Sequence, residues 1–168
     1  MAFRLFTCVL IVLCGGLTGY ELRRRLSIRL RSIEMIRDYL RDVRAYISHT
    51  GMSLDDIAIS LDNGAFSNQF TVKTREYSLY ESFPSAFANA LKVNRRLLCL
   101  TDNDIERIGS CIQRVGCYDL DGTLSCLDFA DEKISSFISD ARRKCETDGK
   151  LYITVGSTCG AIAALIIL

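Results

Sequence analysis

The chain has 168 residues, 49% of them hydrophobic, and carries 21 basic against 20 acidic side chains for a formal net charge of +1. That length supplies one ordinary domain with ample apolar mass for a core, and the balanced charge excludes a global field that would gather nucleic acid or an acidic substrate. The charged residues avoid both ends of the chain and crowd its middle, so the two apolar termini call for a membrane explanation.

From residue 3 to residue 20 the one ionised side chain is Arg4, the run Leu5 to Leu17 is almost wholly apolar, and Glu21 follows with Arg23, Arg24 and Arg25. A helix of about 18 residues roughly crosses a hydrocarbon core, so residues 3–20 are expected to form a transmembrane helix. A cleaved signal peptide is the rival reading, with Arg4 as its basic start and Leu5 to Leu13 as its apolar centre. Against it, no A-x-A-like site follows, bulky Leu13 precedes Cys14, and the arginines look like a retained cytosolic flank.

Beyond the first run, Leu22, Leu26, Leu30, Ile33, Ile36, Leu40, Val43 and Ile47 recur in steps of three or four, which marks one face of a helix continuing the span. The other face, with Arg23, Arg24, Arg31, Glu34, Arg37, Asp38, Arg41 and Arg44, is read either as solvated or as a surface for anionic lipid or a partner. His49-Thr50-Gly51 ends this helix, and Ser53-Leu54-Asp55-Asp56 opens a short second one as an N-cap with an acidic first turn. Asp62-Asn63-Gly64 is a turn signal. Gln69 to Tyr80 suits a third helix despite Thr71, Val72 and Thr74.

Pro84, the one proline, fits the first turn of a helix bearing Phe83, Phe87, Ala90 and Leu91. Thr101-Asp102-Asn103-Asp104 caps the next, with Ile105, Ile108, Ile112 and Val115 on one face and Gly116 placed to terminate it. From Leu120, the set Leu124, Leu127, Ala130, Ile134, Phe137, Ile138, Ala141 and Cys145 predicts a last long helix. No segment alternates as a strand. Residues 21–150 are therefore expected to be a cytosolic antiparallel helix bundle, and the fold all-α.

Residues 151–168 contain no charged side chain and close on Ala161-Ile162-Ala163-Ala164-Leu165-Ile166-Ile167-Leu168, which predicts a second transmembrane helix. A buried C-terminal helix would need a polar stripe, and Tyr152, Thr154, Ser157 and Thr158 all lie near the start of the run. Arg23, Arg24 and Arg25 flank the first span and Arg142, Arg143, Lys144 and Lys150 the second, so the positive-inside tendency puts both flanks in the cytosol and both termini across the membrane. Gly15 and Gly19 in the first span, and Gly156, Gly160 and Ala164 in the second, are spaced by four and each set shares a helix face. Such faces are candidates for close helix packing, beside the plain fact that glycine is frequent in membrane helices.

Catalytic and metal chemistry finds little support. The eight cysteines contain no C-x-x-C pair and His49 is the one histidine, so no zinc site is expected. Cys99, Cys111, Cys117, Cys126 and Cys145 read as small apolar core residues, with Cys8, Cys14 and Cys159 in the membrane. Asp119-Leu120-Asp121-Gly122-Thr123 resembles the D-x-D-G-T motif of haloacid-dehalogenase-type phosphatases, in which one carboxylate attacks phosphorus and magnesium offsets charge. That motif follows a buried strand, whereas Ile112 to Tyr118 is polar and interrupted by glycine, so a helix-connecting turn is expected. There is no P-loop and no Ser, His and Asp arrangement. No catalytic, cofactor or metal residue is assigned.

The layout resembles the stage III sporulation protein AB family over nearly the whole chain. The likeness rests on Gly19-Tyr20-Glu21 leaving the first span, on Ser48-His49-Thr50-Gly51-Met52-Ser53-Leu54 between helices, on Leu100 to Asp119, and on Gly156 and Gly160 in the terminal run. The chain departs from the family at Met52, where a proline is expected, and at Asp121-Gly122-Thr123, where glutamines are. The resemblance implies a cytosolic domain similar to that of type II secretion protein F, and membership of the channel or secretion-like apparatus on the mother-cell side of the forespore envelope. It implies as partners other stage III sporulation proteins, including the AA ATPase, together with membrane lipids and a possible homo-oligomer, and no nucleic acid. A membrane-tethered phosphatase and a lone membrane-anchored binding domain are the alternatives.

Overall fold

Helical periodicity carries through to the backbone. The computed structural model describes residues 2–60 and 69–167, without the side chains of 2–9, 11, 59, 60, 69, 153, 160, 161 and 164–167. The helices are α1 (Ala2–Thr50), α2 (Leu54–Ser60), α3 (Gln69–Ser78), α4 (Phe83–Val93), α5 (Asp102–Ile112) and α6 (Leu120–Ile167). No strand occurs among the described residues, so the fold is all-α. The expected turn at Asp62-Asn63-Gly64 lies outside the described residues. Two compact units are present, Met1–Arg31 with Ser139–Leu168, and Ser32–Ile138.

In the 32–138 unit the α1 stripe Ile33, Ile36, Leu40, Val43 and Ile47 is buried. So is Tyr39, which the periodic reading left out. Its ring stacks on Phe87 of α4 at 6.3 Å between centroids and meets Phe70 of α3 edge-on at 5.9 Å; Phe87 in turn lies 5.2 Å from Phe70 and 5.9 Å from Phe83. Rings of this size bury large areas, and their edge-to-face contacts add to that burial. Desolvation holds the Tyr39 phenol well above its ordinary pKa, so it stays neutral.

Local chemistry closes the helix ends. Ser53 Oγ accepts the Asp56 N–H at 3.3 Å, and at α5 the Asp104 N–H donates to Thr101 Oγ1 while the Thr101 N–H donates to Asp104 Oδ2 at 2.9 Å, a reciprocal capping box. α4 is different. Its N-cap Ser82 makes no side-chain cap bond, and Asp55 of α2 supplies one across space by accepting the Phe83 N–H at 2.9 Å. Gly51 ends α1 at φ +62°. α5 stops at Ile112, so Val115 completes its apolar face from the following turn, and Gly116 then reverses the chain at φ +86°.

Leu127, Ala130, Ile134 and Ile138 bring α6 into the same core. α1 and α6 run antiparallel here, because Arg44 pairs with Asp128 at 2.5 Å and Arg41 with Asp131 at 2.6 Å. These two arginines were expected on a face either solvated or open to lipid or a partner, and they remain partly exposed. Each also pairs with α6, since a guanidinium fork matches a carboxylate presented at the same level of the neighbouring helix. Arg107 of α5 also reaches α6, with its guanidinium 3.9 Å from the Phe137 ring centroid.

The cysteine reading needs correction. Cys99, Cys111, Cys126 and Cys145 are half-buried and Cys117 is exposed, so none of the five sits in the closed core. Cys111, Cys126 and Cys145 lie in α5 and α6, whereas Cys99 and Cys117 lie in the turns that follow α4 and α5. Burial raises the Cys111 thiol pKa, which disfavours the thiolate.

In the other unit, Gly149 packs against the Arg23 side chain and Gly156 against the backbone of Gly15 and Gly19, so α1 and α6 are antiparallel there too. Of the spans expected over 3–20 and 151–168, the described residues, 3–20 and 151–167, are helical. Among the described residues, however, no helix is long and apolar enough to cross a membrane. The side chains of 3–9 and 164–168 lie outside that description.

Candidate functional site

A groove of about 1200 Å³ opens in the 32–138 unit, between the starts of α2 and α4, the outer side of α5 and residues 115–123. Its apolar floor includes Phe83, Ile105 and Val115, all buried. Met52, Tyr118 and Leu120 stand exposed along it, and Lys92, Arg95, Asp102 and Glu106 add charge of both signs. Arg95 and Asp102 pair at 2.5 Å. The lining offers hydroxyls, carboxylates and Cys117 but no histidine.

Gly109 lies in the groove wall, in the interior of α5, where an added Cβ would meet nothing within 4 Å. Glycine inside a helix costs about 1 kcal/mol relative to alanine. Among the described residues no packing requires that concession, which leaves the α5 backbone open on the groove side.

The D-x-D-G-T-like stretch borders this groove and starts α6. Asp119 Oδ1 accepts the Gly122 N–H at 3.2 Å, its carbonyl accepts the Thr123 N–H at 2.9 Å, and the Thr123 hydroxyl donates to the Tyr118 carbonyl at 3.3 Å. The first carboxylate is thus a helix cap. Gly122 is required by the tight turn, since a Cβ there would come 2.6 Å from Tyr118 Cβ. The preceding segment is the turn after α5 and not a strand. Among the described residues no group of three or more His, Cys, Asp or Glu is placed to hold a metal ion. We expect Asp119→Asn with Asp121→Asn to keep the melting temperature within about 3 °C of wild type, because asparagine caps as well as aspartate. Phosphate release from a generic phosphomonoester with magnesium should stay at background in both proteins. Release that Asp119→Asn abolishes would reinstate the phosphatase.

The terminal helix pair is the second candidate. A Cβ on Gly156 would fall 2.6 Å from the Gly15 carbonyl oxygen and 3.4 Å from Gly19 Cα, both backbone atoms. What surrounds Gly160 and Ala164 lies outside the described side chains. Outward, Leu13, Leu17, Val155 and Ile162 are exposed. Thr18 donates to Gly15 O, Thr154 to Lys150 O, Ser157 to Thr154 O and Thr158 to Thr154 O, so these hydroxyls are satisfied within their own helices. Of the basic flank, Arg24 and Arg25 share Glu21 at 3.7 and 3.6 Å, and Arg143 and Lys144 are exposed.

Helical order, both capped starts and the paired glycine helices all lie within one family match, which runs over residues 4–168 and is described as stage III sporulation protein AB. The chain belongs to that family. Its role is therefore in sporulation. Among curated proteins and among solved structures, nothing matches the chain. Sequence reasoning missed three contributors to the 32–138 unit: Asp55, Tyr39 and Arg107. Asp55 was legible as a first-turn acid of α2 but not as the cap of α4. Gly109 carried a signal, a glycine within an otherwise regular helix, that points to the open wall of the groove.

Proposed function

We propose that this family member is a non-enzymatic membrane platform subunit of the mother-cell sporulation apparatus, anchored by both terminal helices, whose soluble part engages a secretion-type ATPase. The observation that carries the anchoring is the inverted surface of the terminal helix pair. Glycine backbones meet inside while leucine, valine and isoleucine point outward. In water a helix pair buries its large apolar residues; in hydrocarbon, which is as apolar as leucine, helices associate by close backbone packing instead. Lipid also demands that hydroxyls find internal acceptors, which supports the same reading. Leu5 to Val9 and Ala164 to Leu168 complete the two apolar runs in sequence.

The groove beside α5 is the proposed dock for the cytosolic partner. The family resemblance names that partner as the AA ATPase, and a platform must present a surface to it. Pull-down of the full chain from sporulating cells is expected to recover the AA ATPase and other stage III proteins. Lys92→Glu combined with Glu106→Lys should reduce ATPase recovery about tenfold at unchanged membrane levels, by misplacing charge at the contact. Unchanged recovery would move the contact off the groove. Failure of the wild type to recover any stage III protein would favour a lone membrane-anchored binding domain.

A further inference from the structure

Charge is segregated along this chain more sharply than its net value conveys. Residues 21–31 and 139–150 carry nine basic and four acidic side chains, a net of +5, whereas residues 32–138 carry eleven basic and sixteen acidic, a net of −5. The basic stretch adjoins the apolar parts of the terminal helices. Two tyrosines mark the join. Gly149 sits at the level of Arg23 and Gly156 at the level of Gly15 and Gly19, so Tyr152 is level with the turn of α1 that bears Tyr20. Both rings are exposed. Beyond them toward the chain ends the exposed side chains among the described residues are uncharged, and on the other side basic side chains outnumber acidic ones nine to four.

We infer that residues 21–31 and 139–150 form a collar that binds anionic phospholipid headgroups, with Tyr20 and Tyr152 at the membrane–water boundary. The inference rests on the anchoring proposed above. Tyrosine favours that boundary because its ring is apolar and its hydroxyl polar. Guanidinium and ammonium groups just outside it meet the phosphates of the leaflet. Glu21 alone cannot neutralise both Arg24 and Arg25, so positive charge remains at that level.

The test uses the full chain reconstituted in bilayers of equal phosphatidylcholine and phosphatidylglycerol. Native mass spectrometry of released protein is expected to show phosphatidylglycerol retained in preference to phosphatidylcholine. Replacing Arg24, Arg25, Arg143 and Lys144 with glutamine should lower that preference by about fivefold per charge removed. Equal retention of the two lipids by the wild type would overturn the collar. So would displacement of phosphatidylglycerol by inorganic phosphate, which would mark a simple phosphate site. The chain contains no tryptophan, so Tyr20→Trp reports depth by itself: lipids brominated near the headgroup should quench it more than lipids brominated at the chain ends. Strongest quenching from the chain ends sinks the boundary and its collar while leaving anchoring intact. No quenching by either lipid sinks the anchoring itself.

Discussion

Gly156→Leu should separate the terminal helices. At this point α6 approaches α1 so closely that even a Cβ would fall 2.6 Å from the Gly15 carbonyl oxygen, and the obstructing atoms are backbone, which no rotamer change can move. The helices must part, and the contacts that depend on their separation weaken together, at about 1–3 kcal/mol for an overpacked site. The segment stays apolar, so its level in the membrane fraction should be unchanged. Recovery of the assembled complex and sporulation after engulfment should both fall. A variant that assembles and sporulates like wild type would show that this approach contributes nothing the cell needs. Gly16 is the control, because a Cβ there meets nothing within 4 Å and Gly16→Ala should be silent.

Phe87→Ala should be the most damaging single change in the 32–138 unit. Phe87 is fully buried and touches Tyr39, Phe70 and Phe83, so it joins α1, α3 and α4 at one point. Truncating such a ring costs about 3–5 kcal/mol, a large part of the total stability of an ordinary domain. The full chain should melt at least 10 °C lower by circular dichroism, with earlier proteolysis within residues 32–138. Tyr39→Phe keeps the ring and removes a buried hydroxyl, so a shift within a few degrees is expected. If Phe87→Ala melts like Tyr39→Phe, the aromatic cluster is not the centre of this core.

Some of this architecture is local and could be read directly. The α1 stripe from Ile33 to Ile47 and the caps at Ser53 and Thr101 depend on neighbours three or four residues away. The helical start at Asp119 is also local, since its acceptors and donors fall within five residues. The candidate groove was not legible. Its wall draws on residues from Ile47 to Thr123, brought together by helix docking and not by any motif.

Sequence alone therefore determined the helical class, the order of the helices, the segregation of charge from the apolar ends and the family. Each follows from short-range periodicity, capping and composition, which act before any helix finds its neighbour. Tertiary structure alone decided that Asp55 caps α4, that Arg41 and Arg44 face Asp131 and Asp128, that four aromatic rings meet around Phe87, and that Gly156 lies on Gly15. Apart from the Phe83–Phe87 contact within α4, these pairings join residues from 17 to more than 100 positions apart in the chain. A helical stripe states that a face will be covered, but several partners could cover it almost equally well. The choice among them comes from the combined fit of all the helices, with each contact weak by itself.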